Sequence, residues 1–71
     1  MKDIILTAVV HKEEDLYVAI CPEIGTASQG YTIDDALINL KEATELYLEE
    51  FPLKKPHQNS WMTTFEARVN A

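Results

Sequence analysis

Residues 16–51, LYVAICPEIGTASQGYTIDDALINLKEATELYLEEF, decide the fold. The apolar pattern changes once along them, from a compact strand-like run to a recurrence at three and four residues. Residues 16–21, LYVAIC, combine β-branched, aliphatic and aromatic side chains and read as a strand. Pro22 has no N–H to give to a ladder, so it ends the strand or marks an edge. Glu23, Ile24 and Gly25 make a turn, and residues 26–30, TASQG, read as a short further strand. Thr32 then has the features of a helix N-cap. Its hydroxyl can accept from the backbone N–H of Asp35, while Asp34 and Asp35 suit the positive end of the helix dipole. Thr-x-x-Asp is a variant of the capping box. Ile33, Leu37, Leu40, Ala43 or Thr44, Tyr47 and Phe51 form one apolar stripe, widened by Ala36 and Leu48, so the helix runs to about Phe51. Pro52 stops it.

Outward from this stretch, residues 3–11, DIILTAVVH, predict a preceding strand, joined to the next through the polar residues 12–15. Residues 52–60 read as a loop. In residues 61–69, WMTTFEARV, Trp61, Thr63, Phe65, Ala67 and Val69 alternate with Met62, Thr64, Glu66 and Arg68, which predicts a half-buried strand. The expected order is β-β-β-α-β: an α+β domain over residues 1–71, with an antiparallel sheet and one helix packed on one face.

A 71-residue chain buries only about 60% of the surface its unfolded form exposes. Small cores of this kind need disulfides, metals or oligomers. Cys21 is the only cysteine, which excludes an internal disulfide and fits a reducing cytosol. The N-terminus, MKDIILTAVVHKEED, lacks the pattern of a secretory signal, and no apolar run approaches the roughly 20 residues a membrane helix needs. The expectation is a cytoplasmic protein. Twelve acids against six bases give a net charge of −6. Such a chain repels nucleic acid, whose binding depends on Lys and Arg, and attracts a basic protein.

The predicted first hairpin is apolar on both sides. Ile4, Leu6, Ala8 and Val10 alternate with Ile5, Thr7, Val9 and His11, and Leu16, Val18 and Ile20 with Tyr17, Ala19 and Cys21. One helix covers one face. A sheet with a solvated second face should alternate apolar and polar, so the second face is expected to meet another chain. Ile5, Val9, Val18 and Ile20 are the candidate residues for self-association into a dimer or tetramer; the hairpin register decides how the two strands' sets combine.

Residues 17–50 resemble the core of the HicB-like antitoxin family. The likeness rests on the aromatic-led strand ending in Pro22-Glu23, on Gly25, on Ser28-Gln29-Gly30 before Thr32, and on Asp35-Ala36-Leu37, Asn39-Leu40, Glu42-Ala43 and Tyr47-Leu48-Glu49 in the helix. It covers about half the chain, and the first and last predicted strands fit around it in order. The resemblance implies a partial ribonuclease-H-like fold, self-association, and binding to a small basic ribonuclease toxin of the HicA type. Many members of the family add a C-terminal DNA-binding segment. This sequence ends at Ala71, so the expectation is a short form without it. Tyr31 and Thr26 also depart from the family pattern.

Enzymatic readings find less support. A ribonuclease-H-like nuclease gathers carboxylates around two metal ions, one of them from the middle of the first strand. That position holds Ile5, Leu6, Thr7 and Ala8, leaving only Asp3, Glu42 and Glu66 as acids for such a cluster. Cys21 and His11 would be the nucleophilic pair, but a hairpin closed near residues 13 and 14 sets them about five residues, roughly 17 Å, apart. His11, His57 and Cys21 have no zinc-ligand spacing, and Gly25 and Gly30 read as turn glycines, not a phosphate loop. No catalytic residue, metal or cofactor is expected.

The expected function is therefore occlusion of a basic toxin by an antitoxin-like protein. The alternative is an oligomeric interaction domain without a toxin, and a metal-dependent nuclease comes last. Candidate partner-binding residues are Glu42, Glu45, Glu49 and Glu50 on the helix, and Pro22 and Glu23 in a proline-stiffened turn. Glu13, Glu14 and Asp15 form a further acidic group. Lys54, Lys55 and His57 form a basic group that could meet another subunit's acids.

Overall fold

The computed structural model describes residues 3–52 and 61–70. Three antiparallel strands, β1 (Val9–Glu13), β2 (Leu16–Cys21) and β3 (Thr26–Gly30), form a sheet in the order β1-β2-β3, followed by the helix α1 (Ile33–Glu50). The class is α+β. β2, β3 and α1 match the sequence expectation almost residue for residue. The Thr32 hydroxyl accepts from the Asp35 N–H at 3.0 Å, as its place before the helix predicts. At the other end the Phe51 N–H donates to the Tyr47 carbonyl at 2.8 Å, and Pro52 follows.

The first hairpin is tighter than expected. Strands run to Glu13 and from Leu16, leaving Glu14 and Asp15 as a two-residue turn. Glu14 takes φ 54°, an uncommon left-handed conformation for a residue with a side chain. The ladder also starts later than the 3–11 strand expected from sequence. Val9 pairs with Ile20, so Ala8 falls beside Cys21, and Pro22 follows with no N–H to donate. The backbone ladder stops there, and the Glu23 carboxylate takes over. It accepts from the Thr7 N–H at 3.0 and 3.1 Å and from the Thr7 hydroxyl at 2.8 Å.

The larger correction concerns the fourth strand. Residues 61–70 form no strand, and every one of them is exposed. Alternation describes an amphipathic segment, but a strand also needs a neighbour to complete its hydrogen bonds. Among the described residues this segment has none.

The core lies between α1 and the sheet and is built from Ala19, Cys21, Ala36 and Leu40, with Leu6, Ala8, Val10, Tyr17 and Ile24 packed around it. The buried line of the helix is Ala36, Leu40 and Thr44. Ile33, Leu37, Tyr47 and Phe51, expected in the stripe, are between 37% and 61% exposed. The reason is the narrow sheet. The helix lies over β3 and β2, where Gly30 lets it come close. A Cβ on Gly30 would sit 2.6 Å from the Ala36 backbone nitrogen. Only the centre of a wide apolar stripe can meet so small a platform. Thr44, the one buried polar residue among those described, pairs its hydroxyl with that of Thr26 at 2.6 Å. Among the described residues no helix is long and apolar enough to cross a membrane.

Candidate interaction site

Strand register assigns every sheet residue to a face. Val10 lies opposite Ala19 and Ala19 opposite Ser28, and this set turns toward the helix. The other set contains Val9, Ile20 and Ala27 in one row and His11, Val18 and Gln29 in the next. Three of the four residues singled out for self-association, Val9, Val18 and Ile20, therefore share the face away from α1. Ile5 precedes the ladder with the same parity and is 90% exposed. Val9 and Ile20 are 36% and 37% exposed. At the hairpin end of this face the His11 Nε2 and Glu13 Oε2 are 2.8 Å apart; on the opposite face the Lys12 ammonium sits 5.9 Å from the Tyr17 ring centre.

A second surface lies on the outer side of α1. Ile38, Glu42 and Leu46 follow one another at four-residue steps, and Glu45 and Glu49 run alongside, so the five share one side of the helix. Ile38 and Leu46 are mostly exposed, which places two large apolar side chains among three carboxylates. Glu50 follows Glu49 by one residue and lies about 100° further round. The last turn has no basic residue, so Glu49 and Glu50 add charge to the end of the helix that is already negative. These acids gain nothing from their own helix.

Pro22 is exposed at the turn, whereas Glu23 is half-buried and engaged within the chain. Burial pushes its carboxyl pKa up, but the hydrogen bonds from the Thr7 hydroxyl and backbone, with smaller help from its own backbone N–H and Cys21, win and hold it below the ordinary value of 4.5. Its observed role is to clamp the stretch before β1 to the turn after β2. Gly25 in the same turn has φ 91°, and its N–H donates to the Cys21 carbonyl at 2.7 Å. Sequence reasoning found the turn but missed the clamp, because no local pattern links Thr7 to Glu23 across sixteen positions.

Cys21 is buried in the core. His11 pairs with Val18, only three positions from Cys21 and not the expected five, because the turn falls one residue later than supposed. An odd separation still places the two on opposite faces. No three His, Cys, Asp or Glu side chains among the described residues are grouped to hold a metal ion. Glu13, Glu14 and Asp15 are exposed at the hairpin tip. Lys54, Lys55 and His57 lie outside the described residues.

A third feature is a groove of about 700 Å³ between α1 and the stretch leading into β1. Leu6 and Ala8 form one wall and Leu37, Leu40 and Leu48 the other, with Lys41, Glu45 and Glu49 along the helix side. It exists because the helix sits over β2 and β3, leaving the β1 side of the core open.

The chain is similar to two UPF0150 proteins. It is 47% identical over 45 residues to one from Helicobacter pylori, a match covering 62% of this chain and 62% of that protein. It is 49% identical over 47 residues to one from a Synechocystis species, covering 63% of this chain and 65% of the relative. The chain thus spans a little under two thirds of the length of these curated relatives. Their names state no activity, ligand or partner. No protein-family model matches the chain, and no solved structure matches it.

Proposed function

We propose that this chain is a protein-binding domain of the antitoxin kind, which associates with its own copies and holds a small basic ribonuclease of the HicA type. The reading rests on the outer side of α1. Ile38 and Leu46 offer apolar area that water solvates poorly, and Glu42, Glu45 and Glu49 surround them with charge that no base in the last turn offsets. An apolar centre with a polar rim is the anatomy of a protein interface. Carboxylates in that rim imitate the charge of the phosphates a ribonuclease must bind, so inhibition needs only coverage of its RNA-binding surface. The resemblance of residues 17–50 to HicB-like antitoxins supports the same reading, as does the net charge of −6. The finer fold assignment, a partial ribonuclease-H-like domain, belongs to this proposal. β1, β2, β3 and α1 occur in the order that fold requires.

Self-association is ascribed to the sheet face away from α1, where Val9, Val18 and Ile20 lie together. This feature also favours the second reading, an oligomeric interaction domain with no toxin. Co-expression with any small basic protein that an adjacent reading frame encodes separates the two. A complex that survives purification and suppresses RNA cleavage supports the antitoxin reading. Glu42→Lys with Glu45→Lys and Glu49→Lys should then weaken binding and flatten its dependence on salt. Unchanged affinity in that triple variant rejects the helix surface as the site.

A further inference from the structure

The groove beside α1 and the segment at residues 61–70 are two halves of one unsatisfied arrangement. β1 is an edge strand, with no partner on its outer side among the described residues. The groove lies beside the stretch leading into that strand and is walled by leucines. The segment carries Trp61, Phe65 and Val69 on one side, respectively 88%, 89% and 78% exposed. It lies away from the body that could bury it: the Cα radius of gyration is 14.5 Å, against about 11 Å for a compact chain of this length. We propose that residues 61–69 of one copy add as a strand to the free β1 edge of a second copy, with Trp61, Phe65, Ala67 and Val69 turned into the groove and the exchange reciprocal.

Length, chemistry and area agree with this occupant. Nine residues of strand span about 30 Å, and the eighteen-residue helix beside the groove spans about 27 Å. The strand would satisfy backbone groups that an exposed edge leaves unpaired. Its side toward the leucines is apolar, and Glu66 and Arg68 on the other side cancel in charge, so the acidic groove rim does not repel it. Each aromatic buries about 150–250 Å². Two per copy, exchanged both ways and matched by groove wall, reach the roughly 1,200–2,000 Å² of a stable interface. The groove shares nothing with the far sheet face and only Glu45 and Glu49, at its rim, with the outer side of α1, so the inference and the proposed function can fail independently.

Trp61 is the only tryptophan and reports on its own burial. Its emission is followed in the full chain from low micromolar to millimolar concentration, alongside mass by sedimentation. The expected result is a shift to shorter wavelength that rises with concentration in step with dimer mass. Phe65→Asp should weaken this association about tenfold or more. Met62→Asp, on the opposite side of the strand, and Ile20→Asp, on the far sheet face, should leave the wavelength shift in place. A monomer whose emission is already blue-shifted would overturn the proposal, because the segment then fills its own groove. A dimer whose Trp61 stays water-exposed would overturn it too, since another surface then makes the contact.

Discussion

Ala19 and Ile20 are neighbours in β2, yet the first is fully buried and the second is 37% exposed. The contrast holds across the sheet. The centre of the face under α1 is made of small residues, Ala19, Cys21, Ser28 and Gly30, with Val10 and Tyr17 packed beside them, whereas the outer face carries Val9, Val18 and Ile20. An isolated subunit would be expected to keep its larger apolar side chains inside. Here small size serves close approach, letting the helix settle on the sheet. Fully burying a Val or Ile is worth about 1.5–3 kcal/mol. Val9 and Ile20 are about two thirds covered already, so the outer face can gain only the remaining part of that against another molecule. The two faces thus differ in what covers them: one is packed by the helix, and the other leaves its larger apolar side chains partly open.

Substitutions can break this division in order of severity. Gly30→Val places side-chain atoms against the backbone of Ala36 and Asp35, which cannot yield as a flexible side chain would. It should cost about 3 kcal/mol or more, read as a lower denaturant midpoint or outright failure to fold. Leu40→Ala empties the centre of the same face and should cost about 3 kcal/mol, with the unfolding slope unchanged.

Glu23→Gln tests the seam where the two faces meet. Losing the charged acceptor for Thr7 should cost about 1 kcal/mol at neutral pH. Because the folded pKa is depressed, the wild-type advantage is complete above the ordinary value of 4.5 and fades as pH falls through the folded value. Stability curves of the two proteins should therefore converge in acid and stay parallel above pH 6. Smallest in stability is Ile20→Thr on the outer face. Unfolding of a dilute subunit should change by less than about 0.5 kcal/mol, while its self-association, measured by sedimentation, falls about tenfold. A large stability loss here would mean that the outer face already supports the single chain.

What could be read from the sequence was local. Thr32 caps the residue three places on, Pro22 ends a strand by its own chemistry, and the 26–30 strand follows from its two flanking turns. The parts that were misjudged depend on partners distant in sequence. Leu6 and Ala8 carry strand-like residues, but whether they join a ladder depends on Pro22, fourteen to sixteen positions on. The 61–69 alternation is plain, and nothing local says what covers it. The stripe read from Ile33 to Phe51 contains the buried line Ala36, Leu40 and Thr44 but is wider than it, because amphipathy specifies a width without specifying how broad the platform beneath is. Of the interaction site, the carboxylates were legible. The exposure of Ile38 and Leu46 beside them was not, since it follows from where the helix sits on three strands.

The hydroxyl pair of Thr26 and Thr44 has a mechanical consequence. Leucines and alanines can slide past one another at little cost, because dispersion has no preferred partner. This hydroxyl pair cannot, since displacement along the helix axis would part the buried Thr44 from the half-buried Thr26 and leave the Thr44 hydroxyl against apolar neighbours. That bond acts as a detent fixing the lengthwise position of α1 on β3, and with it the spacing between Leu48 and Ala8 that any incoming strand must match.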